Sequence, residues 1–213
     1  MRDRLRIALT KGRLQEQTVA LFEEAGLDCG PIKEPGRRLI HSVSNYPLDA
    51  VLAKAPDVIT YVEHGVCDLG VVGKDTLLEQ GGSFYEVLDL GFGRCRFALA
   101  VKDGFDFYSG YQTRRVASKY PNVTRGFFEQ KGMDVSIIKI EGSVELAPLL
   151  DLADGIVDIV ETGDTLRANG LVPIETVEQV SARLIVNTAS MKLYKDQITD
   201  LIHRCELGLE RKA

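Results

Sequence analysis

Apolar residues gather along this chain in short runs, each followed by a stretch in which they recur at helical spacing. Leu5 to Leu9 predicts a buried strand, residues 14–25 a helix, 49–53 a strand, 57–63 a helix and 69–72 a strand, with another helix opening after Gly73. Arg94 to Val101 predicts a long strand leading into Lys102-Asp103-Gly104-Phe105-Asp106, which reads as a passage between lobes. The alternation then restarts, with strands at 115–117, 135–140 and 156–160 and helices at 122–131, 144–152 and from about Leu166. A second passage near 182–187 leads to a final helix, 191–209, whose apolar stripe serves either its own lobe or a docking partner. This βαβ rhythm predicts an α/β protein of two lobes, 1–92 plus 182–213 and 93–181.

The halves carry a faint echo. Asp68 stands five residues before Gly73, with Thr76-Leu77 following, and Asp158 stands five residues before Gly163, with Thr165-Leu166 following. Each half is expected to end a strand in a glycine turn that opens a helix, and lobes facing one another across a cleft would bring both turns to one ligand space.

The second turn carries the chemistry. After the strand Gly155 to Val160, Glu161-Thr162-Gly163-Asp164-Thr165 should leave backbone N–H groups free, with glycine allowing close approach and the Thr162 and Thr165 hydroxyls donating to phosphate oxygens without any lysine. The carboxylates of Asp158 and Glu161 repel phosphate, so their partners would be sugar hydroxyls or a magnesium ion. Together these describe a phosphorylated sugar; the plainer alternative is a strand-to-helix turn in which Thr162 only caps the helix.

Composition narrows the classes. The 213 residues, 45% hydrophobic and 27% charged, are ordinary for a globular protein. No run suffices to cross a bilayer and no signal-peptide core follows Met1-Arg2-Asp3-Arg4, so a cytoplasmic location is expected. A net charge of −5 argues against a nucleic-acid partner. It leaves room for a local cationic cluster, for which Lys11, Arg13, Arg37, Lys54 and Lys74 are placed in or beside loops. Cys29, Cys67, Cys95 and Cys205 have no metal or redox spacing and are expected to be mostly buried thiols. His64, alone at a helix end, is a structural residue, an acid/base group or a polar contact.

The segment Glu141 to Leu171, with its Gly-Ser-Val-Glu and Thr-Gly-Asp-Thr-Leu runs, resembles the signature of the ATP phosphoribosyltransferases. Ala8 to Leu14, Tyr61 to Gly65, Asp68 to Asp75 and Ala117 to Thr124 match the same family in order. The resemblance implies a fold like the type II periplasmic binding proteins: two lobes, each a mixed sheet flanked by helices, with the active site in the cleft. It also implies transfer of a phosphoribosyl group from 5-phosphoribosyl 1-pyrophosphate (PRPP) to N1 of ATP, with magnesium, as the first step of histidine biosynthesis.

Carried over by motif, Thr162, Gly163, Asp164 and Thr165 would hold the 5-phosphate, Asp158 would face the ribose, and Glu161 would do that or approach magnesium. Glu141, Gly142 and Ser143 would open a helix lining the same pocket. Lys11, Gly12, Arg13, Gly73, Lys74 and Asp75 would form the ATP side, and Lys11, Arg13, Arg37 and Lys54 would be the catalytic cations, Lys54 standing where many relatives have arginine. Magnesium would be bound mainly through substrate phosphates. The chain resembles the short form of the family, which implies a homodimer within a hetero-octamer, completed by a regulatory subunit similar to histidyl-tRNA synthetase. Two other readings compete: a bilobal ligand-binding module without catalysis, and a phosphoribosyltransferase for another base.

Overall fold

The computed structural model describes residues 3–34 and 36–211. Chain contacts divide it into two compact units, Met1–Gly93 with Ser181–Ala213, and Arg94–Val180. In the first, β1 (Leu5–Thr10), α1 (Arg13–Glu24), α2 (Gly30–Lys33), β2 (Ile40–Ser42), β3 (Leu48–Ala53), α3 (Ala55–Glu63), β4 (Leu69–Gly73), α4 (Lys74–Gln80) and β5 (Phe84–Asp89) follow one another. In the second come β6 (Cys95–Lys102), β7 (Arg114–Ser118), α5 (Pro121–Gln130), β8 (Val135–Lys139), α6 (Leu146–Leu149), β9 (Gly155–Val160), α7 (Asp164–Ala168) and β10 (Leu171–Val180). The chain then returns to the first unit as β11 (Ala182–Asn187), α8 (Ser190–Leu193) and α9 (Lys195–Glu210).

The first sheet runs β2-β3-β1-β4-β11-β5. Its centre, β3, β1 and β4, is parallel, and both faces are covered: Leu5, Ile7 and Leu9 pack against α1 and α9, while Ala8 and Val72 meet Val58 and Val62 of α3. Burial on both faces is why these strands read as continuous apolar runs. Gly208 lets α9 approach α1, since a Cβ there would lie 3.0 Å from Leu21 Cδ1 and 3.2 Å from the Leu21 carbonyl oxygen. The second sheet runs β10-β6-β9-β7-β8, with β9, β7 and β8 parallel and β6 and β10 antiparallel. Both sheets are mixed.

Several sequence expectations need correction. The 102–106 segment is no passage between lobes: it is a turn inside the second unit, tied by Asp103 N–H to the Gly170 carbonyl at 3.1 Å. Residues 182–187 likewise form a strand of the first sheet. The helix expected over 144–152 shrinks to α6, because Pro148 cannot donate within it and Asp151 takes a left-handed φ of 55°. The final helix breaks at Tyr194. Its stripe, Ile198, Leu201 and Cys205, is buried in the core of its own unit. Cys29, Cys67 and Cys205 are buried and Cys95 is half-buried; burial pushes the Cys29 and Cys205 thiols up to about 12.

Candidate functional site

In the first unit the sheet gathers most of the candidates at one end. Thr10 is level with Ala53, and the Lys11 N–H donates to the Ala53 carbonyl at 2.9 Å, so Lys11-Gly12-Arg13 after β1 and Lys54 after β3 leave adjacent strands side by side. Gly73-Lys74-Asp75 closes β4, the other neighbour of β1. Because β2 runs antiparallel with Ile40 opposite Val51, Arg37 precedes its strand at this same end, beside a cavity of about 670 Å³ shared with Glu34, Arg38 and His41. The carboxyl ends of parallel strands are where α/β sheets bind ligands. Gly12, with φ 88°, makes the turn into α1 that a side chain would strain.

These cations are not equivalent. Lys11, Arg13, Arg37 and Lys54 are exposed. Lys74 is half-buried, its Nζ 2.5 Å from Glu86 Oε2, and Arg183 reaches the same carboxylate at 3.2 Å and Asp89 at 3.1 Å. Lys74 is thus held by a carboxylate twelve residues on. Lys54 caps the N-terminus of α3 and His64 its C-terminus, so the histidine stands a helix length from this group.

In the second unit β9 ends in the expected loop. Gly163 has φ 80°, and α7 starts at Asp164. The Thr162 hydroxyl donates to Asp164 Oδ2 at 2.6 Å, the Asp164 N–H returns to Thr162 Oγ1 at 3.3 Å, and Arg167 pairs with the Asp164 carboxylate while donating to the Thr162 carbonyl at 3.2 Å. The Thr162 hydroxyl and Arg167 hold the Asp164 carboxyl below the ordinary carboxylate range. No lysine stands at the turn, but a cation does, Arg167, and α7 is only five residues long. Arg167 was missed although its i+3 spacing from Asp164 was legible.

Asp158 lies in β9 with its Oδ1 accepting from the Ile159 N–H at 2.8 Å. Burial raises its pKa; the Ile159 bond opposes this, Glu145 reinforces it, and Lys119 opposes it. Glu141, Gly142 and Ser143 do not open a helix: all three are exposed in the loop after β8, and α6 begins only at Leu146. Glu141 is paired with Lys139 at 2.8 Å, which holds its carboxyl low.

Among the described residues no group of three or more His, Cys, Asp or Glu side chains could hold a metal ion. No helix among them is long and apolar enough to cross a membrane.

A family model described as HisG: ATP phosphoribosyltransferase matches residues 54–206. A Clostridium acetobutylicum protein named ATP phosphoribosyltransferase is 58% identical over 98% of this chain and 97% of its own length. One of the same name from Listeria monocytogenes is 54% identical over 98% and 97%. A solved chain of the ATP phosphoribosyl transferase (HisG:HisZ) complex from Thermotoga maritima matches with a TM-score of 0.82 and 31% identity, over 97% of this chain and 99% of that one. The periplasmic aliphatic sulphonate binding protein SsuA from Escherichia coli matches with a TM-score of 0.63 over 98% of this chain and 73% of its own, but at 12% identity, a likeness of fold alone. The fold is the two-lobed one of the type II periplasmic binding proteins.

Proposed function

Because this chain belongs to the ATP phosphoribosyltransferase family, we propose how its residues divide the family's reaction between them. N1 of the ATP adenine attacks C1 of PRPP, the bond from C1 to the pyrophosphate oxygen breaks, and N1-(5-phosphoribosyl)-ATP and pyrophosphate form, opening histidine biosynthesis. The observation that carries this activity is 58% identity to a named ATP phosphoribosyltransferase over 98% of the chain.

The second unit takes PRPP. Thr165 and the backbone of Thr162, Gly163 and Asp164 hold the 5-phosphate, with the Thr162 hydroxyl turning from Asp164 to the anion. The Asp158 carboxylate accepts from the ribose hydroxyls, Glu161 stands beside it, and the Glu141-Gly142-Ser143 loop lines the same pocket. The first unit takes ATP along Lys11, Gly12, Arg13, Gly73, Lys74 and Asp75. Lys11, Arg13, Arg37 and Lys54 stabilise the charge that grows on the departing pyrophosphate, each such contact being worth about 2–4 kcal/mol in the transition state. No nucleophilic side chain is required, since orientation and fixed charge supply the catalysis.

Phosphoribosyl transfer uses a divalent metal, and we assign magnesium. The ion would be carried mainly on substrate phosphates, because magnesium keeps its waters and takes few protein ligands, and Asp158 or Glu161 would approach it. When bound it neutralises charge on pyrophosphate. The Thermotoga structure, a complex with HisZ, supports a separate regulatory partner of that type, resembling histidyl-tRNA synthetase. Within this proposal the chain is a homodimer in a cytoplasmic hetero-octamer.

The test combines ATP, PRPP and magnesium with and without a HisZ-type subunit, and follows the adduct. Product from ATP but not from other bases is expected; no turnover, with binding intact, would favour a binding module, and turnover of another base a different transferase. Histidine should inhibit only once the partner is present, because coupling requires a second site. Saturable inhibition of the chain alone at low histidine would overturn the regulatory part.

A further inference from the structure

The parallel strands β9, β7 and β8 end side by side in the second unit, and the residue that follows the middle one is Lys119. Its backbone is fixed on either side. The Ser118 hydroxyl donates to the Val157 carbonyl at 2.6 Å and accepts from the Tyr120 N–H at 2.9 Å, while the Ile140 N–H donates to the Ser118 carbonyl at 3.0 Å. Lys119 therefore leaves the sheet between Asp158 on one side and the Lys139–Glu141 pair on the other.

The charges around it are uneven. Lys139 is paired with Glu141 and Arg167 with Asp164, whereas Lys119 is exposed and makes no direct ion pair among the described residues. Its charge is felt at longer range by both Asp158 and Glu141. Among the described residues, an anion arriving near Glu141, Glu145 and Asp158 meets in Lys119 a cation not bound to a carboxylate.

Resting on the assignment of the Thr162–Thr165 loop to the 5-phosphate and of Asp158 to the ribose, we infer that Lys119 binds the pyrophosphate end of PRPP. With the ribose over β9 and the 5-phosphate in the loop beyond it, the other end of the ligand is left to cross the sheet. The distance from β9 to β8 is two strand spacings, about 10 Å, which suits a diphosphate attached across a ribose. Lys119 stands on that line.

The experiment uses calorimetry on the full chain with three probes, inorganic pyrophosphate with magnesium, ribose 5-phosphate, and PRPP. Lys119→Met should weaken pyrophosphate and PRPP at least ~10-fold, the scale of one charge-assisted contact, and leave ribose 5-phosphate within about twofold. Lys119→Arg should restore most of the pyrophosphate affinity. Unchanged pyrophosphate binding in Lys119→Met overturns the inference, and so does an equal loss of both probes, which would mean that Lys119 acts through Asp158. Thr162→Val with Thr165→Val is the separate control: if ribose 5-phosphate still binds that variant normally, the loop assignment fails, whatever Lys119 does.

Discussion

The β4–α4 and β9–α7 junctions share a spacing, an aspartate five residues before a glycine, and almost nothing else. Asp68 is fully buried, with its carboxylate accepting from the Arg6 N–H at 2.8 Å and the Ser190 hydroxyl at 2.7 Å, so it fastens β4 to β1 and α8. Asp158 is half-buried in mid-strand and spends one bond on its own neighbour. After Asp68 the strand runs straight into α4, Gly73 having an ordinary φ of −69°. After Asp158 the chain makes a three-residue loop that needs the left-handed φ of Gly163. One junction is a brace, and the other is the one proposed above as a receptor. What separates them is where the carboxylate goes and whether a left-handed glycine opens a loop before the helix.

The largest expected effect tests the receptor side. Thr162→Val with Thr165→Val removes two hydroxyl donors at nearly constant volume and should weaken PRPP binding about 100-fold in calorimetry, with ATP affinity much less affected. Unchanged PRPP affinity would reduce the loop to a turn. Next, Lys54→Met in the first unit should lower turnover at least ~10-fold in steady-state kinetics, since one charge-assisted contact is worth roughly 1.5–3 kcal/mol. Wild-type kinetics would mean that Lys54 touches neither substrate.

The glycines give a smaller and more pointed contrast. Gly163→Ala should cost about 1 kcal/mol of stability, measured by urea unfolding, because alanine resists the left-handed backbone. Gly73→Ala meets no such strain, but its Cβ would lie 2.0 Å from Asp75 Oδ1, so the carboxylate must swing away and ATP affinity should fall while stability holds. Equal stability losses in both would erase the distinction between the junctions.

The smallest effect concerns Asp158. Its carboxyl is held above the ordinary range by burial, so the folded state binds that proton more tightly than the unfolded chain does. Ionising it subtracts stability as pH rises through the folded value, and nothing is lost below the unfolded value. Asp158→Asn should therefore raise Tm slightly at neutral pH, show no gain in acid below the carboxylate range, and lose activity. A lower Tm at neutral pH would place Asp158 with Asp68 as a structural carboxylate.

The sequence by itself determined most of the interior strands, β1, β3, β4, β6, β7 and β9, because a strand covered on both faces carries a near-continuous apolar run. It also determined the glycine turn at Gly163 that opens α7, because the residues that make it are consecutive. Of the strands it missed, β11, which reads as a passage, is an interior strand between β4 and β5, and β2, β5 and β10 are sheet edges. Half-exposed residues blur their pattern, and Pro173 in β10, harmless on an edge at a bulge, argues against a strand when met in sequence. Only the tertiary structure decided that Lys74 is tied to Glu86, that Lys119 stands beside Asp158, and that two aspartates at matching positions have different partners and burial. Spacing fixes which residues share a turn or a face, but charge pairing and desolvation depend on distance and burial in space, which are set when strands far apart in the chain become neighbours in a sheet.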